Sequence, residues 1–376
     1  MARLTRLESD IYEAEIIRPL LNETRNILGI ISDDGRIQPV LRGKKADYHV
    51  APSDSLGAKA GELVLAKVLS GPKPKGQKVK VLERLNEGGG PQGFSHIAIH
   101  QHGIPFKFSE EVLEQAAVAG RAPNDGRTDL RSLPLVTIDG ENARDFDDAI
   151  FAEPWQEVED GWHVVVAIAD VAWYVRPETA LDNEARKRGN SVYFPDRAVP
   201  MLPEILSNGW CSLKPDEDRP CLAVHLWIDS KGNTIRHKFE RAVIRSHARL
   251  TYRQVQAARD GCPDTQTAAI IENVINPIFR AYECLLSARQ KRKPLELHVP
   301  EVDIRLDDRG HLINIIERPN LESYKLIEEF MIAANVAATT VLKGGRRSLL
   351  YRVHEDPPKD KLEILRDFTD SQGLKF

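Results

Sequence analysis

The chain has 376 residues, 41% hydrophobic and 29% charged, with a formal net charge of −4. That length accommodates two or three domains, and the composition excludes a disordered or low-complexity chain. No apolar run reaches membrane-spanning length and the N-terminus carries no apolar signal segment, so a cytoplasmic protein without membrane attachment is expected. The four cysteines, Cys211, Cys221, Cys262 and Cys284, show neither close pairing nor zinc-type spacing, so reduced structural thiols are expected.

In chain order, residues 1–35 offer two candidate strands, Ile11–Ile17 and Asn26–Ile31, and a turn at Asp33–Gly35. Short alternating stretches follow at Ile37–Leu41, Leu63–Leu69 and Lys78–Leu82, with turns at Ser53–Ser55 and Gly71–Gly76. This spacing predicts a small OB-like β-barrel over 36–87. Residues 36–84 hold eleven Lys and Arg against four Asp and Glu. A basic barrel face suits single-stranded nucleic acid or is simply soluble surface; Tyr48 and His49 are the candidate stacking residues. Gly88–Gly93 reads as a linker, and Ser109–Ala119 as a helix with Ser109 as N-cap, within a connecting region 88–132. From 133 to 376 the chain reads as a mixed α/β domain, with strands at Trp162–Ala169 and Cys221–Ile228 and helices near 265–292 and 320–343. The expected fold class is α+β: the barrel, then the α/β domain.

Four aspartates, Asp139, Asp145, Asp147 and Asp148, crowd one window. Leu133–Ile138 before them and Ala149–Ala152 after them read as buried strands, which sets the carboxylates at strand ends over a core. Like charges held together need a counterion, and oxygen donors without Cys or His suit a hard cation, Mg²⁺ or Mn²⁺. The spacing excludes an EF-hand. A solvated acidic loop is the alternative. An open carboxylate-held site usually serves phosphate chemistry, and a basic segment beside it suits a metal-dependent nuclease.

Other residues each carry two readings. Asp170 follows a strand and either faces a site or caps a turn. Tyr193 and Phe194 either stack on bases or enter the core, and strand aromatics favour the core. His247 as a general base stands against a structural histidine. Lys325, Glu328 and Glu329 form surface pairs at helical spacing, or Lys325 meets a phosphate.

The phrases Leu135–Ala149, Val166–Val175, Ser191–Pro195, Pro200–Gly209, Cys211–Pro215, Ser246–Tyr252 and Lys325–Glu329, in this order, resemble the catalytic RNB domain of the RNase II/RNase R exoribonuclease family. Residues 36–119 resemble the cold-shock (OB) domain that precedes it in that family. The resemblance implies a processive, hydrolytic 3′→5′ exoribonuclease that threads single-stranded RNA and releases nucleoside 5′-monophosphates. It implies Mg²⁺ ligands at Asp139 and Asp148, support from Asp145, and the activity-critical carboxylate at Asp147. Tyr193 takes the position that stacks on the 3′-terminal bases, which reverses the core reading. Arg249 and Lys325 are expected to contact RNA, and Leu297 stands where the family's second clamping aromatic is a Phe. A monomer is implied.

The chain departs from the family in extent. The later arginine-bearing HFTSPIRRY-like motif, a C-terminal S1 domain and a complete first cold-shock domain are not found in it. A chain truncated at both ends is the expectation, and a catalytically impaired RNA-binding fragment is the alternative function.

Overall fold

The computed structural model describes residues 2–8, 11–16, 26–40, 47–69, 76–85, 93–294, 299–307, 310–351, 353 and 355–374. An antiparallel pair, β1 (Ala2–Glu8) and β2 (Ile11–Ile16), comes first. Next are β3 (Asn26–Ile31), β4 (Arg36–Pro39), β5 (Tyr48–Val50), β6 (Leu63–Val68) and β7 (Gln77–Arg84). They close into a barrel in the order β3-β4-β5-β7-β6, the OB-like arrangement the alternation predicts. Inward residues such as Ile37, Val64, Ala66, Val79 and Val81 fill it. Gly29 lets β3 and β4 meet, because a Cβ there would lie 2.4 Å from Ile37 Cγ2 and 2.6 Å from the Gln38 carbonyl oxygen. The barrel begins at Asn26 rather than at residue 36. The Asp33–Gly35 turn is internal to a hairpin, with Gly35 at φ 72°. The expected 71–76 turn and the glycine linker lie largely outside the described residues.

Two helices, α1 (Gly93–Gln101) and α2 (Glu110–Ala117), connect the barrel to the second domain. Ser109 holds the extended N-cap position of α2, but its side chain makes no capping bond; Glu110 and Glu111 supply the first-turn charge.

The second domain is built on β8 (Thr128–Asp129), β9 (Val136–Asp139), β10 (Asp148–Trp155) and β11 (Gly161–Ala169). After α3 (Val171–Tyr174), α4 (Ala180–Arg188), β12 (Val192–Tyr193) and β13 (Ala198–Val199) come β14 (Asp218–Ile228), β15 (Thr234–Arg245) and β16 (Ala248–Thr251). The seven-stranded sheet runs β16-β9-β10-β11-β14-β15-β8. Its β16–β9 and β15–β8 pairs are parallel and the rest antiparallel. Next come α5 (Tyr252–Arg259), α6 (Thr265–Ala268), α7 (Asn276–Lys291), the hairpin β17 (Val302–Leu306) and β18 (Leu312–Glu317), α8 (Glu322–Gly344) and α9 (Lys359–Ser371). The helical pattern over 265–292 is therefore interrupted, by a π-helical turn at Ile271–Ile275.

Both sheet faces are covered, so the central strands are apolar without alternation. Val164 and Val166 of β11 pack with Phe279, Tyr282 and Phe330 from α7 and α8. Val165 and Ala167, pointing the other way, pack with Val112, Leu181 and Leu206. The four cysteines are free, and burial pushes the Cys211 and Cys221 thiols up to about 12.

Candidate functional site

The end of β9 and the start of β10 meet at one edge of the sheet. Ile150 pairs antiparallel with Val136, which brings Asp139 and Asp148 to the same margin. On the far side of β9, β16 runs parallel and sets Thr251 beside Asp139. The intervening loop, 140–147, is fastened at several points. The fully buried Ser212 accepts from the Phe146 amide at 3.1 Å and donates to the Arg144 carbonyl at 2.9 Å. The Leu213 amide donates to the Phe146 carbonyl at 2.8 Å, and the Ala169 amide to the Asp147 carbonyl at 2.9 Å. Phe146 itself is buried in the second core. The aspartates therefore stand on a loop whose backbone is anchored between them.

Their charges are unbalanced. No Lys or Arg forms a salt bridge with Asp139, Asp145, Asp147 or Asp148 among the described residues. Asp139 Oδ2 is buried without a hydrogen-bond partner. Burial, and then the charges of Asp148, Asp147 and Asp145, push Asp139 up to about 7. Burial and Asp145 push Asp147 up to about 6, although its outer edge is open to water; burial and Asp147 do the same to Asp148. Among the described residues no three His, Cys, Asp or Glu side chains draw together closely enough to hold a metal ion. A buried, unpartnered carboxylate oxygen within an all-oxygen donor set fits a hard divalent cation.

Tyr193 is 68% exposed, and its hydroxyl donates to Asp145 Oδ2 at 3.0 Å. The core reading of Tyr193 is thus overturned: β12 is a two-residue strand paired only with β13, outside the main sheet, and it is Phe194 that is half-buried. Asp170 does not join the window. It forms a buried ion pair with Arg127 at 2.7 Å, their side chains 6% and 3% exposed, and makes no side-chain capping bond to α3. His247 is exposed, and its backbone amide donates to the Leu135 carbonyl. Arg249 Nη2 donates to the carbonyls of Gly140 and Glu141, both at 2.8 Å.

Glu328 and Glu329 pair with Arg289 of α7 rather than with Lys325. Lys325 has no ion-pair partner among the described residues and lines a cleft of about 1100 Å³ with Arg318, Tyr324, Glu328 and Arg289. Leu297 lies outside the described residues.

Ser212 and Tyr252 also belong to the site, although no sequence pattern singles them out. The Tyr252 ring packs on Tyr324 with centroids 4.4 Å apart. Burial first, then Asp139 and Asp148, raise its phenol well above the ordinary value. Tyr252 thus joins the aspartate edge to the N-terminal end of α8. Both residues fall inside phrases that carry the family resemblance, but nothing in their own spacing marks their contacts.

An RNB domain model matches residues 127–376, and a cold shock domain model matches residues 37–109. The chain is 38% identical over 380 residues to ribonuclease R of Vibrio parahaemolyticus, covering 97% of this chain and 44% of that protein. It is 36% identical over 381 residues to ribonuclease R of Escherichia coli, covering 97% of this chain and 46% of that protein. Mycoplasma genitalium RNase R, solved in complex with double-stranded RNA, superimposes with a TM-score of 0.83 at 26% identity, over 94% of this chain and 64% of that one. The same enzyme with ribose-methylated single-stranded RNA gives 0.82 at 25%, over 98% and 60%. The chain spans less than half the length of the Vibrio and Escherichia proteins. With an RNB domain over two thirds of its length and a cold-shock barrel ahead of it, the chain belongs to the RNB-domain family of bacterial ribonuclease R.

Proposed function

We propose that this chain is a Mg²⁺-dependent 3′→5′ exoribonuclease acting processively on single-stranded RNA. The observation that carries this reading is the cluster of partly buried carboxylates at the ends of β9 and β10, with no salt bridge among the described residues and an exposed tyrosine bonded to one of them. Asp139 and Asp148, supported by Asp145, would hold Mg²⁺, with Mn²⁺ as a substitute. Bound there, the ion supplies charge neutralisation for the phosphodiester and a more acidic water. Asp147, open to solvent in the same window, takes the position at the reacting phosphate. Tyr193 stacks on the terminal base, and Lys325, without an ion-pair partner among the described residues, offers its charge to the backbone from the neighbouring cleft. Hydrolysis adds water across the P–O3′ bond: the water oxygen joins phosphorus, and the O3′ of the shortened chain leaves with a proton. The product is a nucleoside 5′-monophosphate. The relatives' ribonuclease R names, and the single-stranded RNA bound to one of them, support this choice of substrate.

A cytoplasmic location, supported by four unpaired thiols, and a monomeric state complete the reading. No helix among the described residues is long and apolar enough to cross a membrane.

A second reading is an RNA-binding chain that does not cut. It is favoured by the closed cold-shock barrel, a fold that binds single-stranded nucleic acid without catalysis. Chromatography of the products from unlabelled single-stranded RNA tests the first reading. Nucleoside 5′-monophosphates appearing with Mg²⁺, and vanishing in Asp147→Asn, support it. Oligonucleotide or 3′-monophosphate products contradict it.

A further inference from the structure

Arg249 touches both ends of the aspartate loop. It sits on β16 opposite Thr137 of β9, one strand away from the window. The two hydrogens of its Nη2 go to the carbonyls of Gly140 and Glu141, the two residues after Asp139, each at 2.8 Å. Its guanidinium carbon lies 5.6 Å from the centroid of the Phe146 ring, between Asp145 and Asp147 in sequence. One planar group thus grips the start of the loop and covers the anchor near its end. Arg253 adds a looser hold on the same turn, with Nε 3.5 Å from Glu141 Oε1; that pair is exposed and contributes little.

A guanidinium that reads a phosphate presents its donor edge outward. Here two of the five N–H donors, both on Nη2, are committed to backbone oxygens, which ties the group to the loop. A lysine would bring charge and a single ammonium centre, without the flat group that lies over Phe146. We propose that Arg249 is a positioning residue: it sets the 140–147 backbone so that the four carboxylates keep one arrangement toward the divalent cation, and it does not contact the RNA backbone. The proposal rests on the reading of the window as a divalent-cation site.

The test uses the full chain and the variants Arg249→Gln and Arg249→Lys. The first readout is hydrogen exchange across 140–147 without metal, where the Ala143 and Phe146 amides are held by Gly140 and Ser212. Arg249→Gln is expected to speed exchange there roughly tenfold, as loss of a charge-assisted bond implies, and to leave β10 and β11 protected. Arg249→Lys should fall between, which keeps the test usable if the glutamine variant folds poorly. The second readout is RNA binding in EDTA as salt is varied, which should keep its slope. The third is a Mg²⁺ titration followed by loop exchange, whose midpoint should rise. Unchanged loop exchange, or a salt slope shallower by about one, the mark of a lost phosphate contact, would overturn the proposal. If Mg²⁺ fails to protect the loop even in the unaltered chain, the cation reading falls, and the proposal's claim about the cation falls with it. The first readout still decides separately whether Arg249 holds the loop.

Discussion

The Tyr193 hydroxyl donates to Asp145 Oδ2 at 3.0 Å while the ring stays 68% exposed. A base-stacking surface and a carboxylate of the window are thereby joined by one side chain. Burial and the Asp145 charge raise the phenol's pKa, which keeps the donor protonated. Tyr193→Ala should weaken binding of single-stranded RNA by about 1–3 kcal/mol, the worth of one stacked base. Tyr193→Phe should bind like the unaltered chain, because the ring remains. Anisotropy titrations with 5′-labelled RNA in EDTA check both; equal losses in the two variants would place the ring away from the RNA.

The window gives the metal-free chain a distinct pH dependence. Asp139 is raised to about 7, and Asp147 and Asp148 to about 6, above the ordinary carboxylate value of about 3.9. The folded state therefore binds these protons more tightly than the unfolded state. Stability from this source is complete below about pH 4, falls as pH rises through the folded values, and levels off above about pH 7. In EDTA, the melting temperature should drop between pH 5 and pH 8. Mg²⁺ should restore more at pH 8 than at pH 5, because protons compete with it at the lower pH. Thermal melts at the two pH values measure this, and an Mg²⁺ increment independent of pH would contradict it.

Ser212 satisfies two backbone groups of the loop from a fully buried position. Ser212→Ala leaves the Phe146 amide and the Arg144 carbonyl without that partner. It should cost on the order of 1–3 kcal/mol of stability in urea unfolding and also raise the Mg²⁺ requirement. A stability loss with an unchanged Mg²⁺ midpoint would mean the loop keeps its shape without this anchor.

Asp170 and Arg127 form a buried pair apart from the window. Asp170→Ala strands the Arg127 charge and should destabilise the fold by about 3–5 kcal/mol. In the fraction that remains folded, the Mg²⁺ midpoint should not move, which separates this variant from Ser212→Ala in the same titration.

Much of this architecture was legible in the sequence because it is local. Strand runs such as Trp162–Ala169 and Cys221–Ile228 are apolar except for His163 and His225, and the sheet they predict is covered on both faces. The aspartates' place at strand ends follows from the flanking runs alone. What was not legible depends on partners distant in sequence. Asp170 looked like a cap or a site residue because Arg127, its partner, precedes it by a whole hairpin. Ser212 gave no signal, since its two bonds reach across the sequence to Phe146 and Arg144. The propensity of aromatics in strands favours the core for Tyr193, but a two-residue strand on a separate hairpin has no core face to offer. The Asp33–Gly35 turn reads as a boundary in sequence but lies within the β3–β4 hairpin, so the barrel takes in Asn26–Ile31 as well.

If the aspartate window cuts, the chain shortens RNA from its 3′ end. A denaturing-gel time course with 5′-labelled single-stranded RNA, run with Mg²⁺ and with EDTA, decides this. A ladder of shortening products is expected with Mg²⁺, absent in EDTA and absent in Asp147→Asn. Intact RNA in Mg²⁺ together with a retained gel shift would contradict it and leave a chain that binds RNA without cutting it.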